Sequence, residues 1–404
     1  MFSQALLFAS RSLIFKNSKY MIQDKSFSQK LFFHSSPPRR AIPPIIALVL
    51  TPIARIGAFL FGRNFRKWWK NLPPETRALY ISRLRKQKNY FLGLFGALTT
   101  GGIAFYFTHL EEAPVTGRRR FVFVSEKSLL EISKFEFESF LVQFGSKALP
   151  PHHSIYKKVT AIANRILEAN KDIEEIYHKQ WSVTVFDQPD IANAAVLPSG
   201  AILVFSGLLD RCANEDEFAF VLAHELSHCI VGHNAELYSR TSVLNAIKIV
   251  LMGVCMALLP TDMTGILSYL FGSGTLTAAF ELPYGRELER EADEVGLTLV
   301  ARACYDTRYG AVFWEKMRLL EDIEMGIEIP DWISTHPANA TRRDHLKGLE
   351  GSAAAVREVC KCPPLSDVDI EKEVEDFVRA VKEKHEKDRP VVLLQLPKRP
   401  VPSI

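Results

Sequence analysis

Residues 90–108 (YFLGLFGALTTGGIAFYFT) are nineteen consecutive uncharged positions. As a helix they reach roughly 28 Å, close to the ~30 Å hydrocarbon core of a bilayer. A transmembrane helix here divides the chain into two parts of opposite charge. Residues 1–110 carry 17 Lys/Arg against only Asp24 and Glu75, whereas the remainder carries 33 basic and 44 acidic side chains. A basic stretch in that position is a targeting and topology signal, so nucleic acid is not an expected partner. The region 63–89 holds Arg63, Arg66, Lys67, Lys70, Arg77, Arg83, Arg85, Lys86 and Lys88. Basic loops stay in the more negative compartment, which places 63–89 on one side of the membrane and everything after the span on the other. Six cysteines in 404 residues are too sparse for a disulfide scaffold. A hydrophobic content of 47% suits a chain with a sizeable core.

Residues 1–40 are basic, Ser-rich and acid-poor, the pattern of a mitochondrial transit peptide. With that address, 63–89 faces the matrix and the domain after the span faces the intermembrane space. Residues 41–62 are apolar but interrupted by Pro43, Pro44, Pro52 and Arg55, and their relation to the membrane stays open.

The domain at 120–350 reads as mainly α-helical with a small β-sheet. Ile155, Val159, Ile162 and Ile166 have helical spacing. Residues 181–186 and 201–205 are β-rich, the second after a Pro-Ser-Gly turn. Asn214 with Glu217 three residues on predicts a capping box and a helix over roughly 215–233. That helix contains His224-Glu225-Leu226-Ser227-His228. Histidines four apart share a face, so both imidazoles can converge on one metal ion, with Glu225 beside them as a base for water. The helix is otherwise apolar nearly all round, and burying two histidines and a glutamate there without a partner would be costly. Zinc needs a third ligand and leaves one position for water. His233, nine residues after His224, falls about 900° on along a continuous helix and so on the far face. The better source is a second helix over 286–302, where Glu289 and Asp293 are four apart. One of these carboxylates can coordinate and the other can orient a ligand histidine. Glu287 and Glu291 point elsewhere on that helix and are expected in solvent.

The HELSH–EREAD pairing resembles the membrane-linked, gluzincin-type zinc peptidases that include HtpX-like heat-shock proteases and CAAX prenyl proteases. Two further elements match it: NAAVLPSGAILVFSGLL over 193–209, and Ser334-Thr335-His336-Pro337 followed by Arg342. The resemblance implies one zinc ion per chain, held by His224, His228 and Glu289, with Glu225 as general base. It makes Asp293 the supporting acid, His336 a stabiliser of the transition state or a gate to the zinc, and Arg342 a support of the site. A presequence and one convincing span are similar to the family's mitochondrial inner-membrane branch. That branch implies quality-control cleavage of inner-membrane proteins, among them the dynamin-like fusion GTPase, with membrane lipid as a partner and homo-oligomerisation left open. The alternatives are an HtpX-like or CAAX-type protease of another membrane, and a zinc-bound scaffold or chaperone without catalysis.

Residues 246–259 and 266–280 are strongly apolar, but fourteen helical residues reach only about 21 Å, so buried or membrane-surface helices are expected, with a hairpin dipping into the membrane left open. The strand 201–205 is a candidate to pair with an extended substrate. Cys212, Cys229, Cys255 and Cys304 read as core residues, and Cys360-Lys361-Cys362 as exposed free thiols, with a local redox pair as the alternative. Residues 351–404 form a charged helix and a Pro-rich tail.

Overall fold

The computed structural model describes residues 44–259, 263, 275–323, 336 and 340–388. The expected presequence, residues 266–274 of the apolar stretch 266–280 and the Pro-rich tail lie outside these residues.

The chain opens with three helices: α1 (Pro44–Asn71), α2 (Pro74–Lys86) and α3 (Lys88–Thr108). α1 continues through Pro52 and Arg55 and across position 62 without a break. α3 has no buried residue along its whole length. A short antiparallel hairpin follows, β1 (Leu110–Glu112) with β2 (Arg119–Phe121). Next come α4 (Glu126–Phe144), capped by the Ser125 side chain, then α5 (Ser154–Ala169) and the one-turn α6 (Glu174–Tyr177).

β3 (Ser182–Phe186), β4 (Ala194–Val196) and β5 (Ala201–Phe205) form a three-stranded sheet in the order β3-β5-β4. β3 runs parallel to β5, with Val183 beside Ile202, and β4 runs antiparallel to it, with Ala195 opposite Leu203. β5 is buried at all five positions, as a continuous apolar run in a central strand should be. This corrects one expectation. The strand 201–205 has a neighbour on both sides, so its backbone is spent on the sheet, and β4 is an edge strand instead.

The rest is helical: α7 (Ser206–Arg211), α8 (Glu215–Val231), α9 (His233–Leu258), α10 (Thr275–Arg302), α11 (Tyr309–Ile323), α12 (Ala340–Val359) and α13 (Ile370–Asp388). α8 lies at the centre, which is why it is apolar all round. Phe218, Leu222 and Leu226 join Ile162 and Ile166 of α5, Val295 and Leu299 of α10, and Phe313 and Trp314 of α11 in one core. Each such side chain contributes on the order of 1.5–3 kcal/mol when fully buried. A smaller cluster seats Phe140 and Phe144 of α4 on Phe186, Leu203 and Phe205 of the sheet.

The cysteines are arranged differently from expectation. Cys304, at the end of α10, is bonded to Cys362, just past α12, with the Cα atoms 5.2 Å apart. Cys360 is free and exposed, so residues 360 and 362 do not form a local pair.

Candidate metal centre

α8 starts at Asn214, whose side chain accepts from the Glu217 backbone N–H at 2.9 Å. Glu217 reaches back to the N–H of Ala213 rather than that of Asn214, and its buried carboxylate pairs with buried Lys316 at 2.9 Å. The helix ends at Gly232, which takes the left-handed conformation at φ 82°. A Cβ at Gly232 would lie 2.7 Å from the Arg120 guanidinium, which donates to the Val231 carbonyl.

His224 and His228 project from α8 with their Nε2 atoms 3.1 Å apart. α10 crosses close beside them because Gly296 has no side chain: a Cβ there would meet the His224 backbone at 3.1 Å. The crossing brings Glu289 to the pair, its carboxylate oxygens 3.3 Å from His224 Nε2 and 3.6 Å from His228 Nε2. His336 joins them, its Nδ1 3.3 Å from His224 Nε2 and 2.9 Å from Glu289. One ligand atom from each of His224, His228, Glu289 and His336 fits within 4.8 Å of all the others. Two imidazoles and a carboxylate are the donor set of a catalytic zinc site, so these residues fit the metal that the sequence implies. Glu225, on the same helix turn, is buried and its Oε1 lies 3.3 Å from His336 Nε2.

The four groups are braced from behind. Asp293 Oδ1 is 2.9 Å from His224 Nδ1. Asp293 accepts two hydrogen bonds from Arg342 at 2.7 Å and one from the Trp314 indole at 3.1 Å. Arg342 stacks on the Trp314 ring at 3.3 Å and reaches Glu289 at 2.9 Å. On the other histidine, His228 Nδ1 faces His233 Nδ1 at 2.8 Å, and His233 Nε2 faces Glu291 at 3.0 Å. Arg118, from the β1–β2 turn, donates to Glu291 at 2.8 Å and forks onto Glu236.

The electrostatics follow from this packing. Burial opposes charge on His224, but the bonds to Asp293 and Glu289 outweigh it and lift its pKa to about 9. Burial pushes His228 well below its ordinary value, against the attraction of Glu289, and so favours the neutral, lone-pair form a metal ligand needs. Burial would raise Glu289 and Asp293, yet His336 and Arg342 hold the first well below the usual carboxylate range, and Arg342 and His224 lower the second.

Every residue singled out in the sequence thus meets in one place: His224, Glu225, His228, Glu289, Asp293, His336 and Arg342. Ser334, Thr335 and Pro337 lie outside the described residues. Two expectations need correction. His233 does not sit on a far face, because the helix breaks at Gly232 and the chain turns back toward His228. The glycine was the available signal for that break. Glu291 is not solvated but buried against His233 and Arg118, a contact that helical spacing within α10 cannot reveal.

Comparison with known proteins agrees with this geometry. The model of peptidase family M48 matches residues 157–350, a span containing all of the ligand, base and supporting residues named from the sequence. Metalloendopeptidase OMA1, mitochondrial, of Bos taurus is 37% identical over 359 residues, covering 87% of this chain and 68% of that protein. Its Homo sapiens counterpart is 36% identical, covering 83% of this chain and 64% of that protein. The mitochondrial metalloendopeptidase OMA1 of Schizosaccharomyces pombe is 34% identical, covering 73% of this chain and 82% of that protein. The chain therefore belongs to peptidase family M48 and is, with these relatives, a metal-dependent peptide hydrolase.

Proposed function

We propose that the chain is a zinc endopeptidase of the mitochondrial inner membrane, anchored by α3 with its catalytic domain in the intermembrane space. The observation that carries the reading is the meeting of Glu289 with His224 and His228 beside a buried Glu225. When bound by His224, His228 and Glu289, zinc supplies Lewis acidity toward a carbonyl oxygen and toward water. Glu225 takes the proton of the attacking water and delivers it to the leaving amine nitrogen. His336 donates to the developing oxyanion, worth roughly 2.7–4 kcal/mol for a donor of this kind. Its Nδ1 also sits among the ligand atoms, which suits a gate that must swing aside for substrate. Arg342 and Asp293 hold Glu289 and His224 in place.

An extended substrate has β4, the edge strand beside α8, to pair with. The Cys304–Cys362 disulfide suits an oxidising compartment such as the intermembrane space. The basic region between α1 and α3 suits the matrix. The substrates we assign are inner-membrane proteins cleaved in quality control and stress, including the dynamin-like fusion GTPase. Purified chain should contain zinc and cleave a denatured protein, and Glu225→Gln should keep the zinc and lose the cleavage. Full hydrolysis by Glu225→Gln would remove the assigned base. Zinc without hydrolysis in the unaltered chain would favour a scaffold instead.

A further inference from the structure

α9 is not the fourteen-residue segment its sequence suggests. It runs 26 residues, beginning five positions after His228, and is long and apolar enough to cross a membrane. From 243 to 259 it is apolar apart from Asn245 and Lys248, a run of about 25 Å. α1 matches it: 44–62 is apolar apart from Thr51 and Arg55 and covers about 28 Å.

These two helices lie side by side in the same direction. Arg55 of α1 donates to Asn245 of α9 at 2.9 Å, so two of their polar side chains satisfy each other. Further along, Ala58 packs on Gly253, and a Cβ at Gly62 would lie 2.4 Å from the Gly253 carbonyl. At the far end Arg66 donates to the Leu259 carbonyl at 2.7 Å and caps α9. Small residues where backbones meet, with polar groups turned inward to one another, is how helices associate in lipid. The outward faces are the reverse of a water-facing surface. Ile53, Ile56, Phe61, Val250 and Leu258 are each 58–74% exposed.

Chain connections align this pair with α3. The end of α3 enters the β1–β2 hairpin, and the segment after β2 grips the start of α9, where the N–H groups of Phe123 and Val124 donate to Ser239. The start of α3 follows α2, which is tied to the end of α1 by Arg77 on the Leu72 carbonyl and by Tyr80 against Trp68 and Trp69. So α3 returns toward the metal centre over the distance that α1 and α9 cover moving away from it. Between the far ends of α1 and α3 lie nine basic residues and one acid, over 63–88, with those aromatic rings among them. Basic residues and interfacial Trp and Tyr mark a membrane–water boundary.

We propose that α1 and α9 cross the same bilayer as α3, as a parallel pair in lipid contact, with the start of α1 on the catalytic side. α10, which starts at Thr275, carries the chain back to the metal centre at Glu289. His233, which opens α9 against the His228 ligand, then sits ten residues before the first apolar turn of α9, about 15 Å from the bilayer along that helix. That selects peptide bonds close to the membrane, in the exposed flanks of anchored proteins. The inference rests on the reading that α3 is a span.

The test uses the full chain in sealed vesicles with the catalytic domain outside, and a membrane-impermeant maleimide. Exposed Cys360 is the built-in outside reference. Gln87→Cys reports on α3, Asn71→Cys on α1 and Leu258→Cys on α9, all at exposed positions, and each variant is checked for hydrolysis of a soluble peptide. The expected result is labelling of Cys360 at once, and of positions 71, 87 and 258 only after the vesicles are opened. Labelling of 71 or 258 in sealed vesicles, with 87 protected, overturns the pair as spans and assigns its apolar face to a protein partner or a second copy. Labelling of 87 as well overturns the anchoring by α3 itself.

Discussion

His224 and His228 are neighbours on one helix, yet they are held by opposite means. His224 is backed directly by a carboxylate, Asp293, which two bonds from Arg342 and one from Trp314 fix in a fully buried setting. His228 is backed by another imidazole, His233, and only then by a carboxylate, Glu291, whose own anchor Arg118 comes from the hairpin next to α3. One brace is built within the catalytic core. The other reaches outward to the hairpin that follows α3. A carboxylate behind a ligand histidine raises its basicity and fixes its ring. A relay through a second imidazole fixes the ring but adds a joint.

If the braces differ in this way, disrupting them should have graded effects. Asp293→Ala should be the most damaging. It leaves the buried Arg342 guanidinium with Glu289 as its remaining carboxylate and removes the partner of His224, and breaking a buried pair of this kind costs about 3–5 kcal/mol. Thermal unfolding and zinc content should both collapse; a variant as stable as the unaltered chain would show that Arg342 finds another partner. His233→Ala should come next. The buried site is left with a cavity beside Glu291, His228 loses its orienting contact, and zinc affinity measured by chelator competition should fall about 10- to 100-fold. Unchanged affinity would mean the relay is packing alone.

The smallest effect is one of pH. Burial would raise Glu291, but His233, Thr116 and Arg118 together hold it down at about 2, from an ordinary 4.5. A depressed carboxylate contributes stability that is complete above about 4.5 and disappears as the pH falls toward 2. Melting temperatures of the unaltered chain should therefore drop more steeply across that window than those of Glu291→Gln. Parallel curves would show that Glu291 is not held in its charged form by this cluster.

The same contrast explains what could be read from the sequence. Ligands and supports that share a helix face were legible, because spacing of four residues puts His224 with His228 and Glu289 with Asp293 whatever surrounds them. The meeting of the two helices was implied by resemblance to a family, not by spacing. The His233 relay was not legible, because it depends on a left-handed turn at Gly232 and on contacts between three separate elements. The Cys304–Cys362 pairing was likewise hidden, being set by where two helix ends meet 58 residues apart. Two strands of the small sheet, β3 and β5, were readable, but neither β4 nor the strand order was. Only the order shows that β5 is central and β4 an edge. For α1, prolines and Arg55 left the relation to the membrane open, and for α9 an apolar run of fourteen residues read as too short to span; the pairing of Arg55 with Asn245 shows how such a charge is accommodated.

The account stands on Glu289 completing a metal site with His224 and His228, and zinc stoichiometry measures that directly. Elemental analysis of the purified full chain should find one zinc per molecule, and Glu289→Gln should lose it while keeping its helical circular dichroism. One zinc retained by a folded Glu289→Gln chain would contradict the site.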